Sequence, residues 1–551
     1  MSRSPLRLAL SAALLAGLAL VVPAHAAPVA KGATWTQEYI TSADGTKLHA
    51  DVMLPSGSKK GQKHPVILSI GPYFGSGSQG APAYDPLATG PSDRFKDLIE
   101  QGKIFEKGYA LVYVDSRGYG SSGGCNDLGG KGEQMDVKSA VEWASAQPWS
   151  NGKVGMWGKS YDAWTQVMAL ATKPKGLAAT VIQSPLIDGY RLAFENGVHW
   201  AATWYATPGL YLTYDVIPPS TQDATPDAFT ESTVGTATNP QCYALNISQT
   251  VNPDRTSAYW KERDIVAAAG ASKVPSMWSF GFNDVNTKPI NLFDVYGKLQ
   301  GPKRAWFGQW NHVRGNEDAL VGREGFMDEA MNWLDHYLKG LPLKQLPKHE
   351  VQDGDGKWRT EASYPPADAV GRVMPLKPGS YVDTSGNSAQ TPQGGSWSIS
   401  QPAPYDVRLA GLTKLSVEAT TSSPLGGNLV GLVYDVAQNG KARLMTRGAY
   451  KLPASGTTTF DMWPSDWLLP KGHRIAVQLS PDDSMVYQPT YTRSTVTVTK
   501  ASVTLPLLTA KRVSNLVGDK ASAQAGVASP TLPAATFTGR EVQADFGRPM
   551  R

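Results

Sequence analysis

Gly158-Lys159-Ser160-Tyr161 lies between a short apolar run at 154–157 and a stretch with helical spacing. A serine on a sharp strand-to-helix turn is lifted above a sheet edge, beside helix N-terminal N–H groups that can hold a developing oxyanion. That placement suits attack on a carbonyl carbon. A bare Gly-x-Ser is also common in ordinary turns, so the flanking strand and helix carry the weight. The general pattern G-x-S-x-G ends in glycine; here the fifth position is Asp162.

A serine hydroxyl needs a base. Of the eight histidines, His25 lies in an N-terminal apolar segment, and His49 and His64 precede the core strands. His199 falls in an aromatic-rich insertion, His336 within a helix, His349 in a linker and His473 in a β-rich C-terminal part. His312 follows the apolar run 304–307, at the C-terminal end of an expected parallel strand, where open α/β sheets place their sites. On its own it reads equally well as a solvent-exposed loop histidine. An acid between serine and histidine in chain order completes such a set. Asp284, after the run 276–280, fits that order; on spacing alone it is as compatible with a turn aspartate. The three together are much stronger than any one.

These residues need a sheet to hold them. Residues 35–54 alternate around Asp44-Gly45, a hairpin signature. Short apolar runs at 66–70, 109–114, 154–157, 179–183, 276–280 and 304–307 alternate with helical patterns such as 133–146. That predicts a parallel sheet covered on both faces. From about 190 to 270 the alternation breaks into a region with Trp200, Trp204, Tyr205, Tyr211 and Tyr214, an insertion placed to form a cap. A last helix at 329–338 ends at Gly340 and Pro342. Residues 370–513 alternate strands and turns, including Asn439-Gly440, which predicts a β-sandwich of jelly-roll type. The tail 514–551 is rich in Ala, Ser, Pro and Thr and is expected to be poorly ordered.

The 551 residues exceed one ordinary core, so two or three domains are expected. Arg3 and Arg7, the uncharged stretch 8–22 and Ala24-His25-Ala26 read as a cleaved export signal over 1–26, too short for a membrane span. The mature chain is expected to be soluble, secreted or periplasmic, with no membrane partner. Without Arg3 and Arg7, Lys and Arg fall from 52 to 50 against 47 acids, near +3. No basic tract remains, which argues against a nucleic-acid partner. Cys125 and Cys242 are compatible with one disulfide or with two buried thiols. No metal motif is present. Gly118-Tyr119-Gly120 near Gly123-Gly124 lacks the spacing of a phosphate loop.

Further pieces are Pro72-Tyr73, Asp115-Ser116-Arg117-Gly118, Ser122-Gly123-Gly124 and Glu133-Gln134-Met135-Asp136. To these are added the block from Gln147 to Tyr161, Gly281 to Asp284, Trp310-Asn311-His312, and Trp333 to Gly340. Spread over most of the mature chain, they resemble the S15 peptidase and cocaine-esterase-like (CocE/NonD) hydrolases, which include Xaa-Pro dipeptidyl-peptidases, esterases and acylases. In that family the elbow reads G-x-S-Y-x-G, so Tyr161 and Asp162 are as expected and Ala163 replaces a glycine. The resemblance implies an α/β-hydrolase domain over 27–189 and 271–345, a helical cap over 190–270 and a C-terminal jelly-roll domain over 370–513. It implies Ser160 as nucleophile, His312 as general base, Asp284 as its orienter, and Tyr73 with the Tyr161 N–H as the oxyanion hole. By itself, Tyr73 reads as a packed aromatic after a strand.

The expected activity is acyl transfer through an acyl-enzyme, with no cofactor and no metal. A dipeptidyl-peptidase acting on small peptides requires a carboxylate for the substrate's α-amino group; Asp188 and Glu195 are the candidates at the insertion. The alternative is an esterase or acylase acting on small esters, with an aromatic acyl pocket. A non-catalytic surface-binding protein is a third, weaker reading. The Gly-Lys-Ser-Tyr block tips the balance slightly to the peptidase. Oligomeric state is not legible.

Overall fold

The computed structural model describes residues 29–74, 90–200, 246, 248–384, 395–483, 486–488, 490, 492–522 and 530–551. The expected export signal and most of the expected cap lie outside these.

The first strands are β1 Ala33–Thr41, β2 Lys47–Pro55, β3 His64–Gly71, β4 Ala110–Asp115, β5 Ser150–Lys159 and β6 Leu177–Gln183. A small hairpin, β7 Phe194–Glu195 and β8 Val198–His199, precedes β9 Ser276–Gly281, β10 Lys303–Gly308, β11 His349–Gln352 and β12 Trp358–Glu361. One ten-stranded sheet runs in the order β1-β2-β4-β3-β5-β6-β9-β10-β11-β12. From β4 to β11 every neighbouring pair is parallel. Antiparallel strands close both edges.

The central strands are apolar along their length because both faces are covered. All eight residues of β3 are buried. Val66, Leu68 and Ile70 enter one core, with helices Lys131–Ala146 and Tyr161–Thr172. Ile67 enters the other, with helix Phe326–Lys339. This is the period of two of a strand between two helical layers. Ten of the twelve residues of Tyr161–Thr172 are buried, so the helix is wrapped by protein on nearly every side.

The remaining strands are β13 Ala369–Leu376, β14 Gly379–Val382, β15 Ser396–Ser400, β16 Val407–Thr421, β17 Gly427–Val436, β18 Ala442–Leu452, β19 Ser455–Leu469, β20 Arg474–Ser480, β21 Thr495–Leu508 and β22 Glu541–Val542. They form two five-stranded sheets, β13-β21-β16-β19 with β14 on β21, and β18-β17-β20-β15-β22. Their inner faces share one core that includes Leu415, Val433, Val477 and Val503. The molecule is an α/β-hydrolase sheet followed by a β-sandwich.

Two expectations need correction. The α/β sheet does not stop at 345, because β11 and β12 extend it; at four residues each they are too short to show a sequence period. The tail is ordered in its described part. β22 pairs with β15, and Val542, Ala544 and Phe546 are buried in the sandwich core. Its polar composition hid three alternating apolar anchors, Val542 on β22 and Ala544 and Phe546 just beyond it. The described parts of 190–270 include the short helices Tyr190–Ala193, Ala258–Glu262 and Val266–Gly270.

Candidate active site

Ser160 stands between β5 and helix Tyr161–Thr172 with φ 65° and ψ −122°. A serine pays conformational strain to adopt that backbone, which over-determined sites tolerate. The turn is tight enough that a Cβ on Gly158 would lie 2.4 Å from the Asp162 carbonyl oxygen. Only glycine lets the strand leave so close to the incoming helix. The Ser160 N–H donates to the Gln183 carbonyl at the end of β6, 3.0 Å away, which fixes the turn to the sheet.

Asp284 follows β9 and His312 follows β10, so neighbouring parallel strands deliver both to the sheet edge where β5 delivers Ser160. His312 Nδ1 is 2.8 Å from Asp284 Oδ2. Asp284 is fully buried, and the His312 side chain is 15% exposed. Asp284 also accepts from the main-chain N–H groups of Asn286 (2.9 Å) and Thr287 (3.0 Å) and from the Thr287 hydroxyl (2.9 Å). Burial raises the Asp284 pKa, but His312 and these donors outweigh it and leave the carboxyl below its usual value. Burial lowers the His312 pKa; Asp284 opposes this and the Lys159 ammonium adds to it. Burial therefore favours the neutral imidazole, with Nδ1 facing the Asp284 carboxylate.

Two other histidines also meet an aspartate. His49 Nδ1 is 3.0 Å from Asp115, and His473 Nδ1 is 2.7 Å from Asp435. His49, on β2 opposite the end of β4, lies at the same carboxyl ends of the strands but is separated from Ser160 by β4 and β3, and His473 is in the sandwich. His64, His336 and His349 hydrogen-bond the Gly108 carbonyl, the Leu341 carbonyl and the Tyr296 hydroxyl.

Tyr73, two residues past β3, is buried with its ring edge-on to Tyr161, centroids 6.5 Å apart. The Tyr161 hydroxyl donates to Glu133 Oε2 at 2.7 Å. Glu133 also accepts from the Gly129 N–H (2.7 Å) and the Ser116 hydroxyl (3.1 Å). Burial, followed by the nearby Asp127 charge, pushes its pKa up to about 7. Helix Lys131–Ala146 thus pins the residue after Ser160. Arg117 forks onto Asp136 at 2.6 and 2.7 Å and reaches Asp44 at 2.9 Å, holding the turn after β4.

The expected amine anchors are both occupied. Asp188 pairs with Arg191 and, at 3.0 Å, with Arg255. Glu195, fully buried, accepts from the Ala449 N–H (3.0 Å), Trp463 Nε1 (2.9 Å) and the Tyr487 hydroxyl. It fastens the β7–β8 hairpin to the sandwich. Nothing in residue type or spacing marks Arg94, which the fold brings to the Ser160 turn from 68 positions away, or Gln309, which lies three residues before His312. Cys125 is disulfide-bonded, which removes the free-thiol alternative for it; the other cysteine of the sequence, Cys242, lies outside the described residues. Among the described residues, no group of three or more His, Cys, Asp or Glu side chains is placed to hold a metal ion, and no helix is long and apolar enough to cross a membrane.

Comparison with known proteins matches residues 44–314 to the family described as X-Pro dipeptidyl-peptidase (S15 family). Residues 342–522 match the X-Pro dipeptidyl-peptidase C-terminal non-catalytic domain. The chain belongs to the S15 hydrolase family. A Streptomyces avermitilis relative, named "Putative Xaa-Pro dipeptidyl-peptidase", is 23% identical over 92% of this chain and 89% of its own length. Among solved structures, an α-amino acid ester hydrolase superposes with a TM-score of 0.67 at 18% identity, over 90% of this chain and 99% of the other. A CocE/NonD family hydrolase from Staphylococcus aureus does so with 0.65 at 16% identity, over 86% and 93%. At 16–18% identity these two likenesses show a shared fold over most of the chain.

Proposed function

We propose that this S15 hydrolase works through an acyl-enzyme formed on Ser160, and that its substrates are peptides with an N-terminal Xaa-Pro unit. The observation that carries the mechanism is the buried Asp284–His312 pair at the sheet edge where Ser160 holds a strained turn. Ser160 Oγ attacks the carbonyl carbon while His312 Nε2 takes its proton. Asp284 holds the ring in the tautomer with Nε2 free and stabilises the imidazolium that forms. The Tyr73 hydroxyl and the Tyr161 N–H receive the oxyanion. His312 returns the proton to the leaving amine, and water repeats the sequence to release the acyl group.

Family membership and the relatives named as Xaa-Pro dipeptidyl-peptidases support the peptide substrate. Export through the segment 1–26 agrees with a disulfide at Cys125, since such bonds persist outside reducing compartments. A second reading, an esterase or acylase acting on small acylated molecules, is favoured by one observation. Asp188 and Glu195 both have their carboxylates engaged within the protein, so neither is free to hold a substrate ammonium.

Release of p-nitroaniline from Ala-Pro-p-nitroanilide, run beside hydrolysis of p-nitrophenyl butyrate and with Ser160→Ala as control, separates the readings. Anilide cleavage that requires Ser160 and is lost on N-acetylating the substrate supports the peptidase. Ester cleavage alone sinks it in favour of the esterase. Turnover unaffected by Ser160→Ala removes the acyl-enzyme itself.

A further inference from the structure

We propose that Arg94 is a positioning residue that fixes Tyr73 against the Ser160 turn and strengthens its hydroxyl as an oxyanion donor. This rests on the reading of Tyr73 as that donor. The guanidinium carbon of Arg94 lies 3.7 Å from the Tyr73 ring centroid. The same group donates through Nε to Asp162 and through Nη2 to the Lys159 carbonyl, 3.2 Å away. One planar cation therefore touches the ring, the residue before Ser160 and the residue two after it.

The contact is built in from several sides. Asp162 is fully buried and the Arg94 side chain is 10% exposed. The second carboxylate oxygen of Asp162 has no hydrogen-bond partner among the described residues, so Arg94 is the cation that holds this carboxylate in place. Burial raises the Asp162 pKa to about 6 against the pull of Arg94. A Cβ on Gly71 would fall 1.9 Å from that oxygen. Glycine at the end of β3 thus admits the carboxylate beneath the strand that leads to Tyr73. The Arg94 carbonyl in turn accepts from Arg314 Nη2 at 2.7 Å, and Arg314 pairs with Asp97 at 3.1 Å. Arg94 is therefore also anchored to the segment just after His312.

Two consequences follow from elementary electrostatics. A cation over the face of a phenol ring favours negative charge on its oxygen, so the O–H donates more strongly as an oxyanion develops. A fork fixed at two points on the elbow also sets the ring at a defined distance from Ser160, and donor placement governs how much a pre-organised site contributes. Both effects act on the transition state, so they appear in kcat rather than KM.

The test is a mutant cycle on whichever chromogenic substrate is turned over. Arg94→Met is combined with Asp162→Asn so that no buried carboxylate is stranded. The expected loss is about thirtyfold in kcat with KM changed less than about threefold. In a Tyr73→Phe background the same pair of changes is expected to cost less than about threefold more, because its target is gone. Arg94→Lys keeps a cation for Asp162, and so the fold, but cannot reach the Lys159 carbonyl as well. Its expected loss is about tenfold in kcat, and it too vanishes in the Tyr73→Phe background. Losses that multiply with Tyr73→Phe, losses that fall on KM, or an Arg94→Lys enzyme with unchanged kcat overturn the proposal. If Tyr73→Phe alone leaves kcat intact, the donor reading fails first and takes this role with it; if Tyr73→Phe is crippled and Arg94 adds independently, only the Arg94 role fails.

Discussion

The side-chain amide of Gln309 donates to the main-chain carbonyl of Asp466, 2.9 Å away in the β-sandwich. Its oxygen accepts from Asn283 Nδ2 at 3.1 Å. Asn283 precedes Asp284, and Gln309 itself lies three residues before His312. Asp466 is held by Arg359 at 2.8 Å and Arg408 at 2.9 Å, so the point of attachment is firm. Both loops of the Asp284–His312 pair are thus tied to the C-terminal sandwich through one buried amide.

Gln309→Met keeps the length of the side chain and removes both bonds. We expect kcat to fall about tenfold with KM nearly unchanged, since a small misplacement of base and orienter acts on the transition state. Steady-state kinetics beside a thermal melt decide it. A normal kcat would mean that the sandwich does not help to place the pair.

The acid limb of the kcat/KM profile is expected below pH 6.5, the ordinary histidine value, because burial disfavours the His312 imidazolium and lowers its pKa. The neutral base then persists to lower pH. Lys159 is one of the cations that push in the same direction. Lys159→Met removes a repulsion against the imidazolium, so the His312 pKa rises and the acid limb moves to higher pH. A limb that stays put or moves down would exclude Lys159 as a contributor.

Asp284→Asn leaves a neutral side chain where a carboxylate faces His312 Nδ1. It favours the wrong imidazole tautomer, and we expect kcat near neutrality to fall by about 10⁴. The measurement is turnover with burst-phase acylation. A loss under tenfold would place the orienting acid elsewhere.

Reduction should destabilise the protein through Cys125, which is half-buried and disulfide-bonded. A disulfide is typically worth about 2–4 kcal/mol, so dithiothreitol is expected to lower Tm measurably, and Cys125→Ser to lower it by the same amount. A Tm insensitive to dithiothreitol in an exposed-thiol assay that confirms reduction would make the bond structurally idle.

The sequence by itself determined what depends on residue type and short spacing. Alternation with turn residues marked the hairpin of β1 and β2 and the short parallel strands, because a strand covered on both faces must be apolar along its length. The glycine before Ser160 and the helical pattern after it marked the turn. Chain order and strand ends marked Asp284 and His312. Sequence alone missed β11, β12 and β22, which are too short to show a period. Tertiary structure decided the rest. It brought His312 against Asp284 by setting β9 and β10 beside each other, and it engaged Asp188 with Arg191 and Arg255 and Glu195 with groups of the sandwich. It also carried Arg94 onto Tyr73 and Gln309 onto Asp466. The physical reason is one of range. Local pattern encodes which face of an element is buried, whereas a hydrogen bond between residues 66 to 292 positions apart exists only once the sheets have closed around it.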